Sequence, residues 1–149
     1  MQLLVNLKFY KSVATGSNQF LTCKTTNNRG GAIYLDAVGE VQILFDTATL
    51  SNNVAGSSGT ATLGHGGVIH IERATTSPIT ITFTTVTMSS NTALGGNGGI
   101  VSTASTSGDT TIQLSTCTLT SNKANVNGGV FSILGSGDHS VTMQEGSIK

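Results

Sequence analysis

The sequence predicts an all-β chain folded as a right-handed parallel β-helix. This would be a solenoid of about five coils of roughly 30 residues, with three short strands per coil. Three observations carry that expectation. A Gly-Gly pair recurs before an apolar run, an Asn-containing element precedes each pair, and apolar and polar residues alternate between the markers.

The Gly-Gly pairs are Gly30-Gly31-Ala32-Ile33, Gly66-Gly67-Val68-Ile69, Gly98-Gly99-Ile100-Val101 and Gly128-Gly129-Val130-Phe131, at intervals of 36, 32 and 30 residues. The extra residues of the longest interval fall at about Gly56–His65, which reads as an inserted loop. A glycine pair supplies a bend where a side chain would clash or where φ must be positive.

The second marker reads apolar-x-x-Asn-x-Ala. It occurs as Leu50-Ser51-Asn52-Asn53-Val54-Ala55, Met88-Ser89-Ser90-Asn91-Thr92-Ala93 and Leu119-Thr120-Ser121-Asn122-Lys123-Ala124. Thr25-Thr26-Asn27-Asn28 is a weaker copy. Asn28, Asn53, Asn91 and Asn122 are expected to stack at one corner. Asn tolerates the left-handed conformation of a sharp bend, and its amide can bond the Asn of the coils above and below. The expected role of this ladder is structural.

Between the markers, Ile79-Thr80-Ile81-Thr82-Phe83 alternates, as do Val41–Phe45, Ile112–Leu114 and Val141–Met143, with Leu44 an apolar exception on the outward side. Period two places Ile, Val and Phe on one face and Thr or Gln on the other. One strand per coil follows Gly-Gly, one is this run, and one carries the Asn-containing end. A helical solenoid would need apolar residues at i, i+3 and i+4 over ten or more positions, and no such stretch is present.

Composition fits. Charged residues are 9% of the 149, and seven basic residues balance seven acidic ones. Bulk electrostatics therefore gives no reason to expect a nucleic-acid or anionic-membrane partner. The apolar run at Leu3–Val5 is too short for a membrane helix or a signal peptide, so no membrane insertion is expected and any secretion signal lies outside this sequence. The expected organisation is a single domain over 1–149, with an irregular first coil at 1–19 and repeats over 20–149. Ile148 falls in the column of Leu50, Met88 and Leu119, so the chain reads as a segment of a longer solenoid.

With its Asn-containing element upstream, Gly30-Gly31-Ala32-Ile33 resembles the repeat of chlamydial polymorphic outer-membrane proteins and similar repeats of ciliate and other protist surface proteins. The resemblance covers about residues 20–149. It implies a pectin-lyase-like right-handed β-helix exposed at a cell surface. The sequence departs from the chlamydial pattern at Leu50, Met88 and Leu119, where that family has Phe.

Two groups of side chains are candidates for function beside the structural ladder. Aligning Phe20, Phe45, Phe83, Leu114 and Met143 gives Thr47-x-Thr49, Thr85-x-Thr87 and Thr116-x-Thr118, with Thr22-Cys23-Lys24 as a partial match. On extended strands these threonines would form an outward grid about 6.6 Å by about 4.8 Å. Such a grid resembles the ice-binding face of insect β-helical antifreeze proteins. In the same alignment Cys23 and Cys117 share an inward column about 14 Å apart, too far for a disulfide, so two buried free thiols are expected. Tyr34, Asp36, His70 and Glu72, with Arg73 nearby, form a polar cluster on the strands after Gly-Gly. His65 and His139 fall in turns without evident partners.

The function expected is an extracellular or cell-surface structural or adhesive module, not an enzyme, with no cofactor and no metal. Its partner would be another copy of itself, end to end or lateral, or a surface ligand such as a glycan or a protein. The alternative is an ice-binding protein using the threonine grid. A carbohydrate-active enzyme of pectin-lyase-like fold is third.

Overall fold

The structure is a computed structural model that describes residues 4–9, 18–25, 29–36, 39–57, 64–72, 76–106 and 108–149. Within them it is all-β: fourteen strands and no helix. The strands are numbered in chain order and lie in three sheets, all paired parallel.

The first sheet holds β1 (Leu4–Phe9), β2 (Asn18–Leu21), β5 (Glu40–Ser51), β8 (Ile79–Ser89), β11 (Thr110–Thr120) and β14 (His139–Ile148). The second holds the two-residue strands β3 (Lys24–Thr25), β6 (Val54–Ala55), β9 (Thr92–Ala93) and β12 (Lys123–Ala124). The third holds the strands that follow Gly-Gly, namely β4 (Ile33–Asp36), β7 (Ile69–Glu72), β10 (Val101–Thr106) and β13 (Phe131–Gly135). From β2 onward the chain visits the three sheets in the same cyclic order, and each visit adds a strand beside the previous one.

The core follows from period-two patterning held in register. Phe45 pairs with Phe83, Phe83 with Leu114 and Leu114 with Met143. Ile43, Ile81 and Ile112 form the neighbouring column. Phe45 and Phe83 are fully buried, and their rings stack at 5.4 Å between centroids. Leu50, Met88 and Leu119 make a third buried column, with the exposed Ile148 next in register.

The division into strands differs from the expected one. The alternating run and the segment leading to the Asn are a single strand, bent rather than broken. The bend is one residue in the left-handed region, at Thr47, Thr85, Thr116 and Glu145, with φ of 52–55°. Pairing skips Thr47 and Thr85 and resumes at Ala48 with Val86. A second left-handed column, at Thr22, Asn52, Ser90 and Ser121, turns the chain into the short second sheet. The bend is therefore made by the residue before each ladder Asn, not by the Asn itself.

The two glycines of each pair do different work. The first sits at φ of 62–68°, at Gly30, Gly66, Gly98 and Gly128. At the second glycine of the first three pairs, space is the constraint: a Cβ on Gly67 would lie 2.1 Å from the Gly99 carbonyl oxygen, and one on Gly99 would lie 2.2 Å from that of Gly129. The corner backbones bond directly, Gly67 N–H donating to the Gly98 carbonyl at 3.0 Å.

The expected alignment of Phe20 with Phe45 is corrected. Phe20 pairs with Leu50, and Phe9 occupies the place beside Phe45. Two separate segments, β1 and β2, lie along β5. The aromatic residue made Phe20 look like a partner of Phe45, and the two do touch, edge to face at 5.6 Å, but from adjacent columns. Cys23 consequently leaves the column of Cys117. Both thiols are free, Cys117 buried and Cys23 only half-buried.

Candidate functional site

The three groups singled out from the sequence have different fates. Asn53, Asn91 and Asn122 form a continuous ladder. Asn53 Nδ2 donates to Asn91 Oδ1 at 2.9 Å, and Asn91 Nδ2 to Asn122 Oδ1 at 2.9 Å. Each acceptor oxygen also takes the backbone N–H of the preceding Asn, at 3.1 Å. The second amide hydrogen goes to a carbonyl of the preceding pass: Phe20 for Asn53, Leu50 for Asn91 and Met88 for Asn122. With Asn53 and Asn91 fully buried, these bonds meet the donor and acceptor demands of the amides. Asn28 lies outside the described residues. The position below Asn53 is filled by Cys23, whose backbone N–H donates to Asn53 Oδ1 at 3.0 Å.

The threonines are outward but do not form the flat grid. Thr49, Thr87 and Thr118 are consecutive partners in register. Thr47, Thr85 and Thr116 sit at the left-handed bend. The spacing of an extended strand therefore does not apply between the two members of each pair, and each pair straddles a corner. Thr85, Thr87, Thr116 and Thr118 are exposed, whereas Thr47 and Thr49 are half-buried.

The polar cluster is built by the third sheet. Tyr34 pairs with His70 and Asp36 with Glu72 in register. The Tyr34 and His70 rings stack with centroids 5.9 Å apart. His70 Nε2 lies 3.0 Å from Glu72 Oε2. Asp36 is exposed at the rim. Arg73 lies outside the described residues.

Three members of this site were missed. Arg29, just before the first Gly-Gly, pairs with Glu72 through its guanidinium. His65 occupies the equivalent position before the second Gly-Gly, 5.5 Å from the His70 ring between centroids. Its Nδ1 accepts the Asn97 backbone N–H at 3.1 Å, so it is not without a partner as expected. Ser102 is the register partner of His70 on the next pass. The sequence did carry a signal. The residue before each Gly-Gly is Arg29, His65, Asn97 or Asn127, a polar column of its own, and Asn127 N–H donates to Asn97 Oδ1 at 3.1 Å.

These residues surround a hollow of about 180 Å³ lined by Arg29, His65, His70, Glu72, Ser102 and Leu134 among others. His70 is only 2% exposed. Burial, then the nearby Arg29 guanidinium, then His65 lower its pKa from 6.5 to about 3, so the imidazole is neutral at pH 7. A carboxylate only accepts, so Nε2 carries the hydrogen and donates to Glu72, leaving a lone pair on Nδ1. His70 Nδ1 and Ser102 Oγ are both buried without a hydrogen-bond partner among the described residues. Within those residues no group of three or more His, Cys, Asp or Glu side chains is placed to hold a metal ion.

Comparison with protein-family models, curated proteins and solved structures finds no match for the chain. The class that the fold defines is an all-β protein of stacked parallel sheets.

Proposed function

We propose that the chain is a right-handed parallel β-helix of about five coils, serving as a structural or adhesive module of an extracellular or cell-surface protein. Cyclic passage through three parallel sheets supports the coil reading. The right hand follows from the chirality of parallel crossovers. The surface location rests on the resemblance of the Gly-Gly and Asn repeat to surface-exposed proteins.

The observation that carries the reading is where the buried amides are used. Asn53, Asn91 and Asn97 join one pass to the next, as do Gly67 and Gly99 by their lack of a side chain. Among the described residues, the ionisable groups clustered on the third sheet are electrostatically quiet: Glu72 is paired with Arg29, and His70 is neutral. That arrangement suits binding better than proton transfer.

Self-association is the first partner proposed. The pass made by β12, β13 and β14 exposes Leu134, Val141 and Ile148, with Val141 49% and Ile148 58% accessible. Exposed apolar residues along a parallel edge that has no partner strand among the described residues invite another strand. Sedimentation across a concentration series tests this. Concentration-dependent growth is expected for the native chain and its loss in Val141→Lys, with the melting temperature nearly unchanged. A native chain that stays monomeric at every concentration contradicts the self-association proposal.

A further inference from the structure

We infer that the pass made by β12, β13 and β14 accepts one further strand pass from another polypeptide, a segment that carries this chain's own repeat pattern. That pattern, as in Ile81-x-Phe83, Met88, Asn91 and Gly98-Gly99, is two alternating apolar residues, a third apolar residue, a ladder Asn and a glycine pair. The inference deepens the partner reading above by naming what the partner must carry, and it rests on the stacking of passes.

Three features of this pass are halves of relationships that the earlier passes complete. The first is the ladder. In Asn53 and Asn91 the backbone N–H and one Nδ2 hydrogen both go to the Asn oxygen of the following pass. Asn122 has the same donors. One of its Nδ2 hydrogens goes to the Met88 carbonyl at 2.9 Å. The other, and the backbone N–H, have no partner among the described residues. Asn122 is half-buried where Asn53 and Asn91 are fully buried, so the ladder opens to solvent at this end.

The second feature is space. A Cβ at Gly31 or Gly67 would lie 2.1 Å, and one at Gly99 2.2 Å, from the carbonyl oxygen of the second glycine one pass on. At Gly129 the nearest atom is the Asn122 carbonyl oxygen at 3.8 Å, so the same place stands open. The third is the core. Ile112 and Leu119 are fully buried, whereas their register partners Val141 and Ile148 are exposed. Among the described residues no strand pairs with the outer edge of β12, β13 or β14.

Together these features define the occupant. Asn122 has only donors left to offer, because its Oδ1 already accepts twice from Asn91. The incoming ladder residue must therefore bring an oxygen. The open place at Gly129 fits the carbonyl of an incoming glycine pair, and Val141 and Ile148 call for apolar residues in their columns. A second copy meets fewer of these demands. It presents Cys23, without a side-chain oxygen, at the ladder position of its first pass, and Asn122 at its last. A segment that adds to a sheet edge gains affinity from main-chain hydrogen bonds and specificity from side-chain positions of this kind.

The test is a fluorophore-labelled synthetic peptide with the sequence of residues 79–101, flanked by lysines for solubility. Its anisotropy is followed as the folded chain is added. Saturable binding is expected, and none for a scrambled peptide of the same composition. Asn91→Ala in the peptide removes the incoming oxygen and should weaken binding about tenfold. Gly129→Ala in the chain fills the place of the incoming carbonyl and should weaken binding at least as much. The chain itself should fold as before, because that place is open without a guest. Should the Gly129 variant misfold, the peptide substitution decides the question, since it leaves the chain untouched. The inference is overturned if the peptide does not bind, if the scrambled peptide binds as well, or if Asn91→Ala or a folded Gly129→Ala leaves binding unchanged. A chain that self-associates in sedimentation but ignores the peptide keeps the self-association proposal and loses this one. A monomeric chain that takes the peptide does the reverse.

Discussion

Asn91 reaches Asn122 twice through one oxygen: its side-chain Nδ2 at 2.9 Å and its backbone N–H at 3.1 Å both donate to Asn122 Oδ1. Asn53 repeats the relationship one pass earlier with Asn91 as acceptor. The ladder is thus a fork at each step, which ties side chain and backbone of one pass to the same atom of the next.

Replacing Asn91 with Ala removes the acceptor for Asn53 and both side-chain donations of Asn91 itself. The Asn53 amide is buried and would be left short of a partner. A loss of about 1–3 kcal/mol is expected from one such orphaned group, and more if several contribute. Urea denaturation of Asn91→Ala against the native chain measures it. An unchanged midpoint contradicts the ladder.

The second glycine of each pair gives a contrast within one motif. A Cβ at Gly99 would overlap the Gly129 carbonyl oxygen, which is backbone and has little room to move. A Cβ at Gly129 meets nothing closer than the Asn122 carbonyl oxygen at 3.8 Å. Gly99→Ala should destabilise by about 1–3 kcal/mol or more. Gly129→Ala should be within about 0.5 kcal/mol of the native chain. Thermal melts of the two variants suffice, and equal effects would contradict the close approach of the passes.

His70 sets a pH dependence whose sign follows from linkage. The unfolded chain takes up the proton near 6.5 and the folded protein only near about 3. Between those values the unfolded state binds more protons, so stability is full above about 6.5 and is lost as pH falls towards 3. The groups facing His70 are Arg29, His65, Tyr34 and Glu72, with Ser102 uncharged beside them. The slope attributable to His70 is about 1.4 kcal/mol per pH unit. His70→Phe, which keeps an aromatic ring against Tyr34, should flatten the decline of the urea midpoint between pH 6 and 4. Carboxylates that do not touch His70 titrate alike in both proteins and cancel in the comparison, whereas Glu72, bonded to His70, does not. Identical pH profiles would contradict a buried neutral imidazole.

The repeat made most of the architecture legible. Period two predicted the inward column of Ile43, Ile81 and Ile112, and Gly-Gly marked the corner before the third sheet. The bends were harder to read. A left-handed Thr85 or Ser90 has no special residue type, so only register reveals that they carry the turn. Phe20 was misplaced because its aromatic ring suggested Phe45 as its partner, and because Cys23 rather than an Asn fills the ladder position that follows it. Spacing alone puts Phe20 three residues before Cys23, as Leu50 is three before Asn53. At the polar cluster, strand alternation located Tyr34, Asp36, His70 and Glu72 on one face. Arg29 and His65 come from the preceding corner, and Ser102 has no charge to draw notice. Their convergence depends on stacking, which no local pattern encodes.

The central claim is in-register parallel stacking of successive passes, and disulfide trapping tests it most directly. With Cys23 and Cys117 first replaced by Ala, Thr87→Cys with Thr118→Cys puts two thiols on adjacent passes and direct partners. Their Cα atoms would be about 4.8 Å apart, inside the range of about 4.4–6.8 Å that a disulfide spans. Thr49→Cys with Thr118→Cys places them two passes apart, about 9.6 Å. Mild oxidation of dilute protein should close the first pair within one chain, seen as a mass loss of two hydrogens, and leave the second as free thiols. Closure of the second pair in preference to the first would contradict the stacking on which the whole account stands.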